Sequence, residues 1–181
     1  FVEQLPELDR VVVGLDPSVG GSDACGIVAV GAVTQGPPQD WRAYVLGDCT
    51  VDGVSPSGWV AAALRAMERF GGDRLVAEVN QGGQLVTEVL RQVDPLVPLK
   101  TVHAAQGKGA RAEPVAALYE QGRVRHAGRF PELEDEMADF GPDGLSPSNE
   151  AILDHPLTKT VDLIAIGVAE TLRDDALGPA R

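Results

Sequence analysis

The segment Arg10-Val11-Val12-Val13-Gly14-Leu15-Asp16-Pro17-Ser18 constrains the fold more than any other. A run of β-branched and apolar residues without polar alternation reads as a strand buried on both faces. Such a strand belongs inside a sheet with helices on either side, an α/β arrangement. It ends in a carboxylate, Asp16, followed by Pro17 and a turn rich in Gly, Ser and Asp. A second strand signal, Arg74-Leu75-Val76-Ala77-Glu78, delivers Glu78 in the same way ahead of Val79-Asn80-Gln81-Gly82-Gly83. If the two strands are parallel neighbours, Asp16 and Glu78 emerge at one edge of the sheet. Carboxylates that close repel each other and favour a bound divalent cation. Asp-Pro is also ordinary turn chemistry. The weight therefore falls on Glu78, which lies inside its strand signal and is costly to bury unless paired or metal-bound.

The chain has 181 residues, enough for one domain with a substantial core. Aromatic residues make up only 4%, so that core must come from Val, Leu, Ile and Ala. No apolar stretch is long enough to span a bilayer, and no signal-peptide pattern opens the chain. Cys25 and Cys49 each fall in a strand-like run and read as small buried hydrophobes; a disulfide between them is not needed. The net charge of −12 argues against a strong non-specific nucleic-acid binder. It leaves room for a metal-dependent nuclease, whose carboxylates are neutralised by their ions. A start at Phe1 rather than Met reads as a fragment or a processed product.

Residues 1–9 read as an entering segment, 10–175 as a single domain and 176–181 as a tail. Strands are expected at 10–15, 25–33 and 41–51, with a loop carrying Pro37 and Pro38 between the last two. Ser55-Pro56 opens a helix as N-cap and first residue, and Gly71-Gly72 ends it. The Glu78 strand follows, then a helix over 83–93 and a short strand over 96–102. The remainder reads as a helix over 113–121, a strand over 124–127, an acidic helix over 131–140, a Gly/Pro/Ser-rich loop over 141–149 and a last helix over 158–173. Three strands joined by hairpin-like links and then helix–strand crossovers give a ribonuclease H-like order. That fold is a mixed central sheet, an antiparallel meander plus parallel strands, flanked by helices. Its first strand neighbours the fourth in parallel, as the Asp16–Glu78 pair requires.

Phosphodiester hydrolysis by two divalent ions about 4 Å apart calls for a third carboxylate. The last helix supplies Asp162 in an apolar setting, with Ala165 and Ala169 on its side at helical spacing to allow close approach to the strand ends. A salt bridge to an arginine is the bland alternative, and Asp154 and Asp23 are the reserve ligands. Oxygen donors select Mg²⁺ or Mn²⁺ over zinc. His103, His126 and His155 share no ligand spacing and read as surface or loop histidines. Lys108 and Arg111 lie in a Gly-containing loop before a helix and are candidates for DNA phosphates. Arg123, Arg125 and Arg129 form the densest basic stretch and are a second candidate. Glu132, Glu134, Asp135, Glu136 and Asp139 read as a solvated helix face.

Four segments together resemble the nuclease domain of the large terminase subunit of tailed bacteriophages. They are Val13–Ser18 with Asp23–Val28, then Val76–Gly83, then Lys108–Val115 running into Tyr119–Val124, and finally Leu133–Met137 before Phe140. The resemblance implies a two-metal endonuclease that cuts double-stranded viral DNA during genome packaging in the host cytoplasm. It implies Asp16, Glu78 and a C-terminal Asp as ligands of two Mg²⁺ or Mn²⁺ ions. The family's last motif resembles Asp-Arg-x-Asp-Ala; here Lys159-Thr160-Val161-Asp162-Leu163 keeps only the final Asp. Full-length relatives carry an ATPase domain with a phosphate loop. This chain has no Gly-x-x-x-x-Gly-Lys-Ser/Thr segment, so the resemblance implies an isolated, monomeric nuclease half. Its implied partners are DNA, the ATPase domain, the portal and the small terminase subunit, with no membrane. Three rival readings remain. One is a Holliday-junction resolvase-like nuclease, disfavoured by the −12 charge. Another is a sugar-kinase or actin-like half domain, which would need a second phosphate turn. The last is a non-catalytic docking domain, which would leave Asp16, Glu78 and Asp162 without a reason to converge.

Overall fold

In the computed structural model, β1 (Arg10–Asp16) is the apolar run, buried along its whole interior. The structure describes residues 1–17, 24–79, 83–103, 108–131, 133–135 and 158–172. Strand β2 (Gly26–Val33) pairs antiparallel with β1, from Arg10 opposite Ala32 to Asp16 opposite Gly26. Strand β3 (Arg42–Asp48) pairs antiparallel with β2, with a register shift at Ala29/Val30. β3 is shorter than its sequence suggests: beyond Asp48 the pairing continues only as a Cys49 N–H bond to the Ile27 carbonyl and an isolated bridge, Cys25 to Val51. Cys25 is buried, and both cysteines are thiols rather than halves of a disulfide.

Helix α1 (Pro56–Phe70) begins on Ser55 and ends on Gly71, whose φ of 63° is the left-handed cap that glycine adopts without strain. It returns the chain to the starting end of the sheet, where β4 (Arg74–Glu78) enters parallel to β1. Helix α2 (Gly83–Val93) leads back to β5 (Leu99–Val102), which is parallel to β4. β5 starts three residues later than expected, at the first position after Pro98, which has no N–H for the ladder. Helix α3 (Lys108–Glu120) leads to β6 (Val124–His126), parallel to β3 on the far edge. Helix α4 (Thr158–Thr171) closes the described fold. The strand order is β5-β4-β1-β2-β3-β6.

Side chains alternate across each strand and build two cores. Val13, Leu15, Ile27, Ala29, Leu75 and Ala77 meet Trp59, Val60 and Ala63 of α1 and Val86 and Leu90 of α2. On the opposite face, Val28, Val30, Ala43 and Val45 meet Val115 of α3 and Leu163, Ile164 and Val168 of α4. This is the ribonuclease H-like mixed sheet with helices on both sides. The segment before β1 is fastened to it: Val2 N–H donates to the His126 carbonyl at 2.9 Å and Asp9 N–H to the Ala32 carbonyl at 2.8 Å. No described helix is long and apolar enough to cross a membrane.

Candidate active site

The parallel pairing of β1 with β4 runs from Val12 opposite Arg74 to Leu15 opposite Ala77. The next rung carries Asp16 and Glu78, the last residues of the two strands. Leu15 and Ala77 belong to the core under α1 and α2. By alternation, Asp16 and Glu78 both turn to the other face, on neighbouring strands about 4.8 Å apart. Glu78 is only 8% exposed and Asp16 is half-buried. Asp73 fixes this register from the opposite end. Its carboxylate accepts the Val11 N–H at 2.7 Å, and its own N–H donates to the Val11 carbonyl at 2.8 Å. The sequence marks Asp73 only as a polar residue ahead of a strand, which hides this part.

Helix α4 lies on the face that Asp16 and Glu78 share. A Cβ placed on Gly14 would sit 3.3 Å from Leu163 Cδ2, and one on Gly167 would sit 2.7 Å from Val30 Cγ2. Val30 is opposite Val12, so four residues of helix advance past two residues of β1 in the reverse sense. At its far end the Glu170 carbonyl accepts from Arg10 Nη1 at 3.3 Å, where β1 begins. Thus α4 runs antiparallel to β1, and its opening turns, with Asp162, lie toward the Asp16–Glu78 end. The close approach comes from Gly14 and Gly167 rather than from alanines. Ala165 is buried, but Ala169 faces solvent, which corrects the expectation that both line the contact. The side chain of Asp162, together with Asp154 and Asp23, lies outside the described residues. Among the described residues no three His, Cys, Asp or Glu side chains gather as a ligand set. The donors in view are two carboxylates, the hard oxygen ligands that suit Mg²⁺ or Mn²⁺.

The four helices α1 to α4 among the described residues start at this same edge. α1 follows the top of β3, α2 that of β4 and α3 that of β5, while α4 runs counter to β1. Their amino termini carry partial positive charge, so the edge favours anions although the chain is acidic. In open α/β sheets, ligands bind at the carboxyl ends of the strands. Lys108 and Arg111 lie in the first turn of α3, not in a loop as their glycines suggest. The helix continues through Pro114, which is exposed, so the loss of one N–H bond falls on the solvent side. Arg123 and Arg125 lie elsewhere, on the far edge strand. Arg123 donates to the Trp41 carbonyl at 3.1 Å and the Pro38 carbonyl at 2.6 Å, bonds that tie down the β2–β3 loop. Arg125 is exposed and donates to the Gly122 carbonyl. Arg129 stacks over the Phe1 ring at 5.2 Å.

His103 is exposed, as expected, but His126 is buried. Its Nε2 lies 2.8 Å from the Tyr119 hydroxyl and its Nδ1 3.4 Å from Glu134 Oε1. A carboxylate only accepts, so Nδ1 carries the proton and Nε2 accepts from Tyr119. Burial pushes the His126 pKa down despite Glu134, and pushes the Tyr119 phenol up. The same Glu134 carboxylate accepts the Phe130 N–H, which lowers its pKa. These three residues staple β6 to α3 and to the chain that follows. β6 stands three places from β1 in the strand order.

A family model for the terminase RNaseH-like domain matches residues 13–165. The chain belongs to this family. A search of curated proteins finds no match. Among solved structures, the large-terminase nuclease of thermophilic phage G20c with bound magnesium aligns with a TM-score of 0.64 and 16% identity, covering 89% of this chain and 81% of that one. The large-terminase nuclease domain of bacteriophage SPP1 with bound manganese aligns at 0.55 and 14%, covering 90% and 87%. Thermus thermophilus RuvC aligns at 0.50 and 17%, covering 95% and 99%. The shared fold is ribonuclease H-like, and the terminase structures it resembles are nucleases.

Proposed function

We propose that this terminase domain is a divalent-cation-dependent endonuclease that cuts double-stranded viral DNA during genome packaging. The observation that carries the reading is the juxtaposition of Asp16 and Glu78. They end adjacent parallel strands on one face, at the edge where α4 begins. Asp16 and Glu78 hold two Mg²⁺ or Mn²⁺ ions, with Asp162 as the third ligand and Asp154 or Asp23 as its replacements. Bound ions supply Lewis acidity at the scissile phosphate and its leaving oxygen. The nearly dry setting of Glu78 keeps its carboxylate in place and strengthens its hold on a cation. Lys108 and Arg111, at the head of α3, take backbone phosphates and fix the register of the duplex. Arg123 and Arg125 serve at most the outer path of the DNA, since β6 is two strands beyond the neighbour of β1.

In this reading residues 10–175 form the nuclease part of a longer protein of the host cytoplasm. Its ATPase domain, the portal and the small terminase subunit are its partners. The domain itself acts as a monomer on DNA. Family membership and the −12 charge favour this over a junction resolvase. Supercoiled plasmid incubated with the purified chain should be nicked and degraded with Mn²⁺ or Mg²⁺ and left intact with EDTA. A four-way junction should gain no preference over the plasmid. Undiminished cleavage in EDTA would contradict the metal mechanism.

A further inference from the structure

We propose that the Glu170–Lys100 pair sets the axial position of α4, and through it the reach of Asp162 toward Asp16 and Glu78. The inference rests on the reading of Asp162 as third ligand. Glu170 lies in the last turn of α4 and is only 8% exposed. Its Oε2 accepts from Lys100 Nζ at 2.7 Å, while its carbonyl accepts from Arg10 Nη1 at 3.3 Å. Lys100 belongs to β5, the edge strand, and Arg10 opens β1. The two contacts therefore tie one end of the helix to both sides of β4. Arg10, Asp73, Arg74 and Glu170 line one small cavity there, of about 60 Å³.

The rest of the helix's described footing is apolar, apart from Thr171, whose hydroxyl donates to the Val168 carbonyl of its own helix at 3.1 Å. Leu163, Ile164, Ala165 and Val168 lie on valines and alanines, and Gly167 presses on Val30. Apolar burial itself has no direction, and the close contacts at Gly14 and Gly167 set the depth of the helix on the sheet. A charge-assisted hydrogen bond is short and directional. A charge-assisted bond of 2.7 Å to a carboxylate this buried is costly to stretch, so a placement that draws Glu170 away from Lys100 is penalised. Asp162 precedes Glu170 by two turns of the same helix, about 12 Å. Whatever shift the helix makes at Glu170, Asp162 makes as well. A ligand displaced by about 1 Å can cost about a hundredfold in rate. Buried ion pairs contribute little to stability compared with apolar replacements. A positioning role therefore accounts for the pair better than a stabilising one.

The test separates position from stability. Mn²⁺ affinity is measured by calorimetry on the full chain, with thermal melting in EDTA alongside. The variants are Lys100→Met, Glu170→Gln, Lys100→Arg and the double variant Lys100→Met/Glu170→Met. Lys100→Met and Glu170→Gln should weaken Mn²⁺ binding about tenfold, and Lys100→Arg should preserve it. The double variant, with its apolar pair, should melt like the wild type and still bind Mn²⁺ weakly. Affinity that recovers along with melting in the double variant would overturn the proposal. Asp162→Asn is the control. Wild-type binding and cleavage in that variant would overturn both the ligand assignment and the anchor. Loss in Asp162→Asn with wild-type binding in Lys100→Met and Glu170→Gln would overturn the anchor alone.

Discussion

Glu78 ends β4 with little of its surface in water, and a change that removes its charge but keeps its shape asks why it is there. Glu78→Gln and Asp16→Asn should each lower cleavage by about a hundredfold or more, as expected for lost cation ligands. Circular dichroism should show the fold intact. Melting in EDTA should be unchanged or higher, because repulsion at the paired carboxylates is relieved. Wild-type cleavage in either variant would remove that residue from the ligand set. Lys108→Ala and Arg111→Ala act on a different quantity. Each should weaken DNA binding and reduce the slope of log affinity against log salt by about 1, with Mn²⁺ affinity unchanged. An unaltered slope in both would return them to the solvent. At this scale the placement of Asp16 and Glu78 at the ends of neighbouring parallel strands was readable from sequence, because each acid closes an apolar run. His126 was not, because its burial depends on Tyr119 and Glu134, partners that local pattern cannot bring to it.

Helix α4 is seated on the sheet through the contacts of Leu163 and Gly167. Gly167→Ala gains helix propensity of about 1 kcal/mol, but the new Cβ would lie 2.7 Å from Val30 Cγ2. Overpacking of that kind costs about 1–3 kcal/mol. The expected net result is a lower melting temperature together with weaker Mn²⁺ binding, measured on the same sample. A higher melting temperature would mean that the helix rides further from the sheet. The staple of β6 makes a separate prediction. In the unfolded chain His126 takes up a proton near pH 6.5, whereas burial lowers its pKa in the fold. Below pH 6.5 the unfolded state thus binds more protons, and stability falls as pH falls. His126→Gln should flatten that fall in urea titrations run at successive pH values. An unchanged pH dependence would show that another group carries it. The strands, α1 and α2 were legible from hydrophobic period and caps. The start of α3 was not, because Gly107, Gly109 and Pro114 look like punctuation while the helix runs through the last two. The place of β6 beside β3 was hidden too, since local signals do not report which distant strand a crossover will join.

Over the whole molecule, a charge of −12 and the proposed DNA substrate are reconciled at one edge of the sheet. The carboxylate edge is also where the four described helices α1 to α4 begin, so in the proposed reading cations held there and the helix termini turn that edge toward phosphate. Cation binding to the folded state alone should raise the melting temperature with increasing Mn²⁺. Asp16→Asn should abolish the increase, and an equal rise in that variant would put the ions elsewhere. The order of elements made this edge foreseeable, because one parallel pairing in a ribonuclease H-like sheet brings the ends of β1 and β4 together. The depth of α4 on Gly14 and its tether at Lys100 came only from the three-dimensional contacts. The central claim is that a divalent cation is held where β1 and β4 end. Anomalous diffraction from a crystal soaked in Mn²⁺ measures this directly. The account predicts manganese peaks bound by the carboxylates of Asp16 and Glu78, with Asp162 completing the set. Manganese absent from Asp16 and Glu78 at saturating concentration, or bound at another part of the sheet, would contradict it.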